Sequence, residues 1–494
     1  MRLFPAALAA LLAIAFGAGA GPLGALARAQ EEGESGEPQR SEEDLQAEAE
    51  LRAALEKDPK NVAANVALGQ FLYERGQAAE GLALLWRAVG LDAKDEGAAT
   101  ALIDDLLAEN AGYSAAGDTM NADAQVARAA KILADFTAAG GVESKATRIR
   151  RVRVFSLLPG KEAEGYAAAK KLLTDEPADE ALHVLFVDAA TAAKQFEDGL
   201  DFYAKGPFEP WLAAWFTSEL HVGRAHMYFN RYTDDEKTVQ DYLEAEQLVL
   251  QSGRLHPQVF AAASERASRD RAWRGWTRLR QDRYDEAWDL FVSAWGRDPK
   301  NDNAIGGLRY LGDRLYESGE LEKARELYRQ ACVIAPDRVD FWNNYALICR
   351  DSGHYEESYR AYLRAVALAP DDPRSINDCY LILLYHLHRD LDLAEREFIR
   401  AEDLVRAQFT AAQQGDDEGA LASTRSVLGD VLVNLARLYS EQGRMQEAGE
   451  HWNELRAVDP GRPELPENGA EPPPQSVPPP PAKDAAAKPA DGGR

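Results

Sequence analysis

Residues 321–370 read LEKARELYRQACVIAPDRVDFWNNYALICRDSGHYEESYRAYLRAVALAP and hold one pattern twice. Ala324, Tyr328, Ala331 and Pro336 run small, large, small, proline; 34 residues on, Ser358, Tyr362, Ala365 and Pro370 repeat the order. Positions four and seven apart share one face of a helix. The small residues let a second backbone approach, the large one fills the gap beside them, and proline ends the helix. The spacing returns at Ala47, Leu51, Ala54 and Pro59, at Gly81, Leu85, Ala88 and Ala93, and at Ala287, Phe291, Ala294 and Pro299. A last copy is Ala448, Trp452, Leu455 and Pro460; Gly165 with Ala169, and Gly199 with Tyr203, anchor two less regular ones. Each copy has a leading half: Leu311-Gly312, Leu315 and Gly319 precede Ala324, Trp342, Tyr345-Ala346 and Gly353 precede Ser358, and Leu435-Ala436, Tyr439 and Gly443 precede Ala448. The repeating unit is therefore a pair of antiparallel helices, which buries its apolar face by stacking on copies of itself.

These residues resemble the tetratricopeptide repeat. The resemblance implies an all-α, right-handed superhelical solenoid of antiparallel helix pairs. It also implies that first-helix residues line a concave groove that holds a peptide or a partner's helix. The corresponding positions are Arg309, Asp313, Tyr316 and Glu317, then Asn343, Leu347 and Arg350, an aromatic anchor among charges. One subtype of the family grips a terminal carboxylate with a Lys and an Asn four apart. Here those pairs are Val66/Gln70, Arg309/Asp313, Asn343/Leu347 and Val433/Arg437, so that specificity is not carried over.

Departures from the period mark boundaries. The step from Ala287 to Ala324 is 37, and from Ala394 to Ala448 it is 54, which predicts elongated helices flanking Gln414-Gly415-Asp416-Asp417. Residues 96–145 match poorly, with Gly140-Gly141 as a break, and 206–270 match worst. The expected organisation is an N-terminal block over 45–205, divergent helical hairpins over 206–270 and a C-terminal block over 271–462.

The ends carry different signals. Arg2, an uncharged run from Leu3 to Leu26 and the small-x-small Ala27-Arg28-Ala29 read as a signal peptide over 1–29. Cleavage is expected after Ala29, with Ala18-Gly19-Ala20 as a second site and an uncleaved anchor as the alternative. A signal peptide implies a secreted or periplasmic protein. An acidic linker without aromatics follows over 30–44, and the 463–494 tail is rich in Pro and Ala; both compositions predict disorder. Pro472-Pro473-Pro474 and Pro478 to Pro481 favour an extended spacer.

Of the 494 residues, 56 are Lys or Arg and 82 Asp or Glu, a formal net charge of −26 that becomes −28 without Arg2 and Arg28. That balance argues against nucleic acid and anionic membranes, which need basic patches. It leaves protein or peptide partners, basic ones included. No phosphate loop, nucleophile elbow or His-Glu-x-x-His is present, so no catalytic residue, cofactor or metal is assigned. His221 and His226, five apart, project ~140° from each other on a helix, and His386 and His388 also diverge, so each reads as a surface or half-buried residue. Cys349 and Cys379 fall at apolar positions; a disulfide within the Cys332/Cys349/Cys379 group stays open.

The expected function is a non-enzymatic extracytoplasmic scaffold that binds polypeptides in its groove. The alternative is a carbohydrate-binding protein or enzyme with a site near 206–270 and Trp273/Trp276. Trp273, Trp276, Trp288 and Trp295 are read first as packing between hairpins. A third reading has the acidic surface hold a basic partner.

Overall fold

The computed structural model describes residues 41–415 and 417–465, which form helices and no strand. The expected signal peptide over 1–29, the linker up to residue 40 and the tail beyond 465 fall outside these residues. In chain order the helices are α1 (Glu42–Lys57), α2 (Val62–Glu74), α3 (Ala78–Leu91), α4 (Glu96–Ala115), α5 (Thr119–Ala138), α6 (Lys145–Leu157) and α7 (Glu162–Asp175). Then come α8 (Glu180–Ala193), α9 (Phe196–Lys205), α10 (Pro210–Arg231), α11 (Asp235–Leu255) and α12 (Phe260–Arg280). The remainder are α13 (Tyr284–Arg297), α14 (Asp302–Glu317), α15 (Leu321–Ile334), α16 (Val339–Asp351), α17 (Tyr355–Leu368), α18 (Pro373–Ile382), α19 (Leu391–Gln414), α20 (Glu418–Glu441) and α21 (Met445–Val458). They fall into two compact units divided between Gln281 and Asp282. Each is a TPR-like stack of antiparallel helix pairs.

Local chemistry explains why the pairs alternate. First helices other than α16 start behind a side-chain cap that satisfies an orphan N–H: Asn61 for α2, Asp95 for α4, Ser144 for α6, Asp179 for α8, Asn301 for α14, Asp372 for α18 and Asp417 for α20. Second helices α3, α7, α9, α13, α15, α17 and α21 lack such a cap. They follow a residue in the left-handed region five places before the small position: Gly76, Gly160, Gly319, Gly353 and Gly443, but Lys194 before α9 and Asp282 before α13. A side chain there is strained. Lys194→Gly should therefore stabilise the N-terminal unit by about 0.5–1 kcal/mol, read as a raised urea midpoint.

The repeated triplets are the core. Ala287, Phe291 and Ala294, Ala324, Tyr328 and Ala331, and Ser358, Tyr362 and Ala365 are all at most 1 % exposed. Leucines, alanines and aromatics of α3–α6, of α6–α10 and of α19–α21 form separate apolar clusters. Helix pairs therefore bury surface against neighbours rather than around one centre, as stacked repeats do.

The structure departs from the sequence reading in three places. Helix α1 begins at Glu42, inside the stretch read as linker, and buries no residue, so the Ala47–Leu51–Ala54 copy packs from one side only. Helix α12 crosses residues 270 and 271 without interruption, because Ala263, Ala267, Ser268 and Ala272 bury one continuous face. The four tryptophans divide between the units. Trp273 packs edge-on to His226 and Phe229 and stacks on Tyr242, so its ring offers no open platform for a sugar. The long α19 and α20 and the break between α5 and α6 lie where the spacing placed them. Cys332, Cys349 and Cys379 are buried free thiols; burial pushes Cys332 and Cys349 up to about 12 and raises Cys379 also.

Candidate functional site

In the C-terminal unit, side-chain hydrogen bonds connect successive first helices. Tyr316 of α14 donates to Asp351 Oδ2 at the end of α16 (2.5 Å), and Arg350 Nε donates to Asp351 Oδ1 (2.7 Å). From α16, Asn343 Nδ2 donates to Ser375 Oγ of α18 (2.8 Å), while the Ser375 hydroxyl bonds Asp372. Asn377 of α18 accepts from Asn434 Nδ2 of α20 (2.7 Å), and Asn434 Oδ1 accepts from Tyr385 (2.7 Å). Tyr385 lies in a π-helical turn, Leu383–Leu387, that continues α18. Such a turn shifts side chains around the helix axis and recurs at functional sites.

The residues expected from the family pattern fall into three groups along this row. Tyr316 and Arg350 meet on Asp351. Arg309 and Asp313 are exposed and joined through Tyr328, whose hydroxyl donates to Asp313 Oδ1 (2.9 Å) and lies 3.2 Å from the Arg309 carbonyl. Asn343 is tied to Ser375 and Leu347 is half-buried, whereas Glu317 stands apart in an exposed pair with Arg314 at 3.9 Å. Sequence reasoning missed Asp351, Ser375, Asn377, Tyr385 and Asn434. Asn377 had a signal, since it stands 34 residues after Asn343.

The electrostatics are mixed rather than uniformly acidic. Burial pushes Asp378, beside Asn377, up to about 6, with Asp430 adding to it and Asn377 and Arg350 opposing. Burial and the bond to Asp351 push Tyr316 up to about 12. Burial opposes the charge on Arg350, but Asp351, Tyr362 and Asp378 hold it in place and raise its pKa. Half-buried Arg350, Asn343, Tyr316 and Tyr385 can thus offer a fixed cation, an amide and phenols to a polypeptide, while Ser375, Asn377 and Asn434 are buried and hold the row from beneath. Asn434→Ala leaves Asn377 and Tyr385 without their buried partner, so unfolding midpoints should report a loss of about 1–3 kcal/mol.

One cluster elsewhere deserves a metal test. In the N-terminal unit, His221 is buried rather than at the surface; its Nδ1 lies 2.9 Å from Asp241 Oδ1 and its Nε2 3.3 Å from Glu244. Among the described residues this is the group with ligand atoms close enough, within 4.8 Å, to share an ion. Arg224, however, already donates to both Asp241 oxygens, at 2.6 and 2.9 Å. Although burial opposes it, bonds from His221 and Arg224 hold Asp241 below the usual carboxylate range. The guanidinium occupies the place of a metal ion, so the cluster reads as an internal salt bridge that locks α10 to α11.

Two family models match this chain, TPR repeat over residues 312–348 and Tetratricopeptide repeat over 339–372. Residues 312–372 thus carry tetratricopeptide repeats, and the stacked hairpins of both units have the TPR-like fold. Protein O-mannosyl-transferase TMTC1 from Homo sapiens is 34% identical over 93 residues, 19% of this chain and 10% of that protein. The Mus musculus form is 31% identical over the same lengths. The chain thus spans about a tenth of the length of these relatives. Among solved structures, Naa15/Naa10 bound to HypK-THB has a TM-score of 0.33 at 15% identity, covering 85% of this chain and 62% of that one. The C-terminal part of a TPR repeat-containing protein from Cytophaga hutchinsonii gives 0.34 at 12% identity, covering 57% and 96%. Yeast Tom70 gives 0.26 at 14% identity, covering 84% and 89%. At TM-scores of this size nothing about their partners transfers.

Proposed function

We propose that this protein is a non-enzymatic scaffold that holds a polypeptide segment against the first-helix face of its C-terminal unit. The row running from Tyr316 through Asp351, Arg350, Asn343 and Ser375 to Asn377, Asn434 and Tyr385 carries this reading. It spans four first helices in three hydrogen-bonded groups, mixes amides, charges and aromatic rings, and is pre-ordered by its own bonds, which lowers the entropy lost on binding. We further propose that the protein acts outside the cytoplasm, delivered by the 1–29 leader, and that basic partners are favoured by its net charge of −26. No helix of the described residues is long and apolar enough to cross a membrane. The transferase activity that gives the relatives their name belongs to those proteins and is not extended to this chain.

The test selects peptides from a display library on the full chain and titrates the best by calorimetry. Binding should saturate, and Tyr316→Ala combined with Asn343→Ala should weaken it by about tenfold or more. Selected peptides that bind this variant as well as the natural chain would refute the assignment to this face.

A further inference from the structure

A second surface lies on the other side of the hairpins, within the same unit. Between second helices α13 and α15, above α14, is a groove of about 610 Å³. Tyr284, Trp288 and Leu311 give it an apolar wall and floor, and Asp285, Glu322 and Glu326 stand at its rim. Its lining holds five carboxylates against two cations, and Arg325 and Arg329 beside it pair with Glu322 (2.8 Å) and Glu326 (2.7 Å). Glu326 is ionised at neutral pH, held down at about 2 by Arg329 and Gln330.

The repeat itself shows why the groove is open. In the next step along the stack, the same place between α15 and α17 is bridged. Arg325 Nη1 donates to Glu357 (3.0 Å), and Tyr345 from the helix beneath donates to the same carboxylate (2.5 Å). Each bridging residue has a counterpart one unit earlier: Trp288 is 37 residues before Arg325, Lys323 is 34 before Glu357, and Leu311 is 34 before Tyr345. Tryptophan and leucine cannot make that bridge, and Lys323 turns to Glu320 instead. Three substitutions at equivalent positions thus replace a polar bridge by a half-buried indole over leucine, inside an acidic rim.

We propose that this groove is a second docking surface, taking a short polypeptide segment in which lysine or arginine side chains flank an apolar one. The apolar side chain meets Tyr284 and Trp288 above buried Leu311, and the cations meet Asp285, Glu322 and Glu326. Charge complementarity sets the sign of the partner, and an aromatic residue in a partly dry groove sets the anchor. Because this site lies on second helices, it does not depend on the first-helix face proposed above.

The probe is a short synthetic lysine–leucine amphipathic peptide, titrated into the full chain at physiological salt, with a glutamate–leucine counterpart as control. Glu322→Lys combined with Glu326→Lys should weaken binding by about tenfold or more, and Trp288→Ala by a similar factor. Reversing Glu42 and Glu43 in α1 changes the net charge equally at a distant place, and should alter binding by less than about twofold because distant exposed charges are screened. Asn343→Ala, on the first-helix face, should leave the slowed amide exchange over residues 284–288 and 322–330 unchanged, which separates this result from the fate of the first-helix proposal. Amide exchange should slow over residues 284–288 and 322–330, with circular dichroism confirming that the variants fold. Equal binding by the groove and α1 variants, or equal binding of the glutamate peptide, would overturn the proposal. So would self-association abolished by Trp288→Ala, which would give the groove to a second copy of the chain.

Discussion

Tyr328→Ala should lower the stability of the C-terminal unit by about 3–5 kcal/mol, the usual range when a buried aromatic is truncated. The ring is 1 % exposed and lies so close to α14 that a Cβ on Gly312 would sit 2.3 Å from it. Its hydroxyl donates to Asp313 Oδ1 at 2.9 Å and accepts from Asn344 Nδ2 at 3.0 Å, so one side chain joins α14, α15 and α16. Tyr328→Phe keeps the ring and removes those bonds, at an expected cost of about 1–2 kcal/mol. Urea unfolding measures both, and amide exchange locates the loss. Helices α14–α17 should loosen and α2–α11 should not, because stacked repeats couple to their neighbours. An alanine variant within about 1 kcal/mol of the natural chain would contradict this account of the core.

Asp270→Asn should stabilise the N-terminal unit by about 2–4 kcal/mol at pH 8, at 1.36 kcal/mol per pKa unit, and by little at pH 4. Asp270 in α12 is 2 % exposed, its Oδ2 has no partner, and its contact with Arg266 is 3.7 Å long. The Arg266 guanidinium is engaged by Glu219 of α10. Burial pushes Asp270 up to about 7; Glu219 and Glu246 add to this, while Arg266 and Arg269 oppose it. A carboxyl with a raised pKa in the fold binds its proton more tightly there than in the unfolded chain. Its penalty is therefore absent below the ordinary value of 3.8, grows as pH rises from about 4 to about 7, and is constant above. The asparagine variant should remove that slope. A variant less stable than the natural chain at pH 8 would show instead that the ionised carboxylate is paired.

The fold was legible because its packing rule is local and periodic. A helix approaches its partner at Ala324 and Ala331 and fills the gap with Tyr328, and one unit of chain repeats the same contact. Propagation also bears on α1, where the triplet is present but, among the described residues, no earlier hairpin packs on it. The candidate face was legible only in part. Arg309, Asp313, Tyr316, Asn343 and Arg350 follow the 34-residue step, whereas Asn434 meets Asn377 across 57 residues because α19 and α20 are long. Asp351 had the repeat signal too, 34 residues after Glu317, but it stands at the last position of α16 and is bonded by Tyr316 reaching across from α14. His221 misled because helical spacing compares residues on one helix, and its partners Asp241 and Glu244 come from the next.

The central claim, that the first-helix face of the C-terminal unit holds a polypeptide, is tested most directly by site-specific photo-crosslinking in the source cells. A photoreactive residue is placed in turn at Arg309, Asn343 and Arg350 on that face, and at exposed Leu363 and Val333 on second helices. The account predicts crosslinks to one polypeptide segment from the three face positions, absent from the two others. Crosslinks from Leu363 and Val333 alone, or face positions joined to glycan rather than polypeptide, would contradict it.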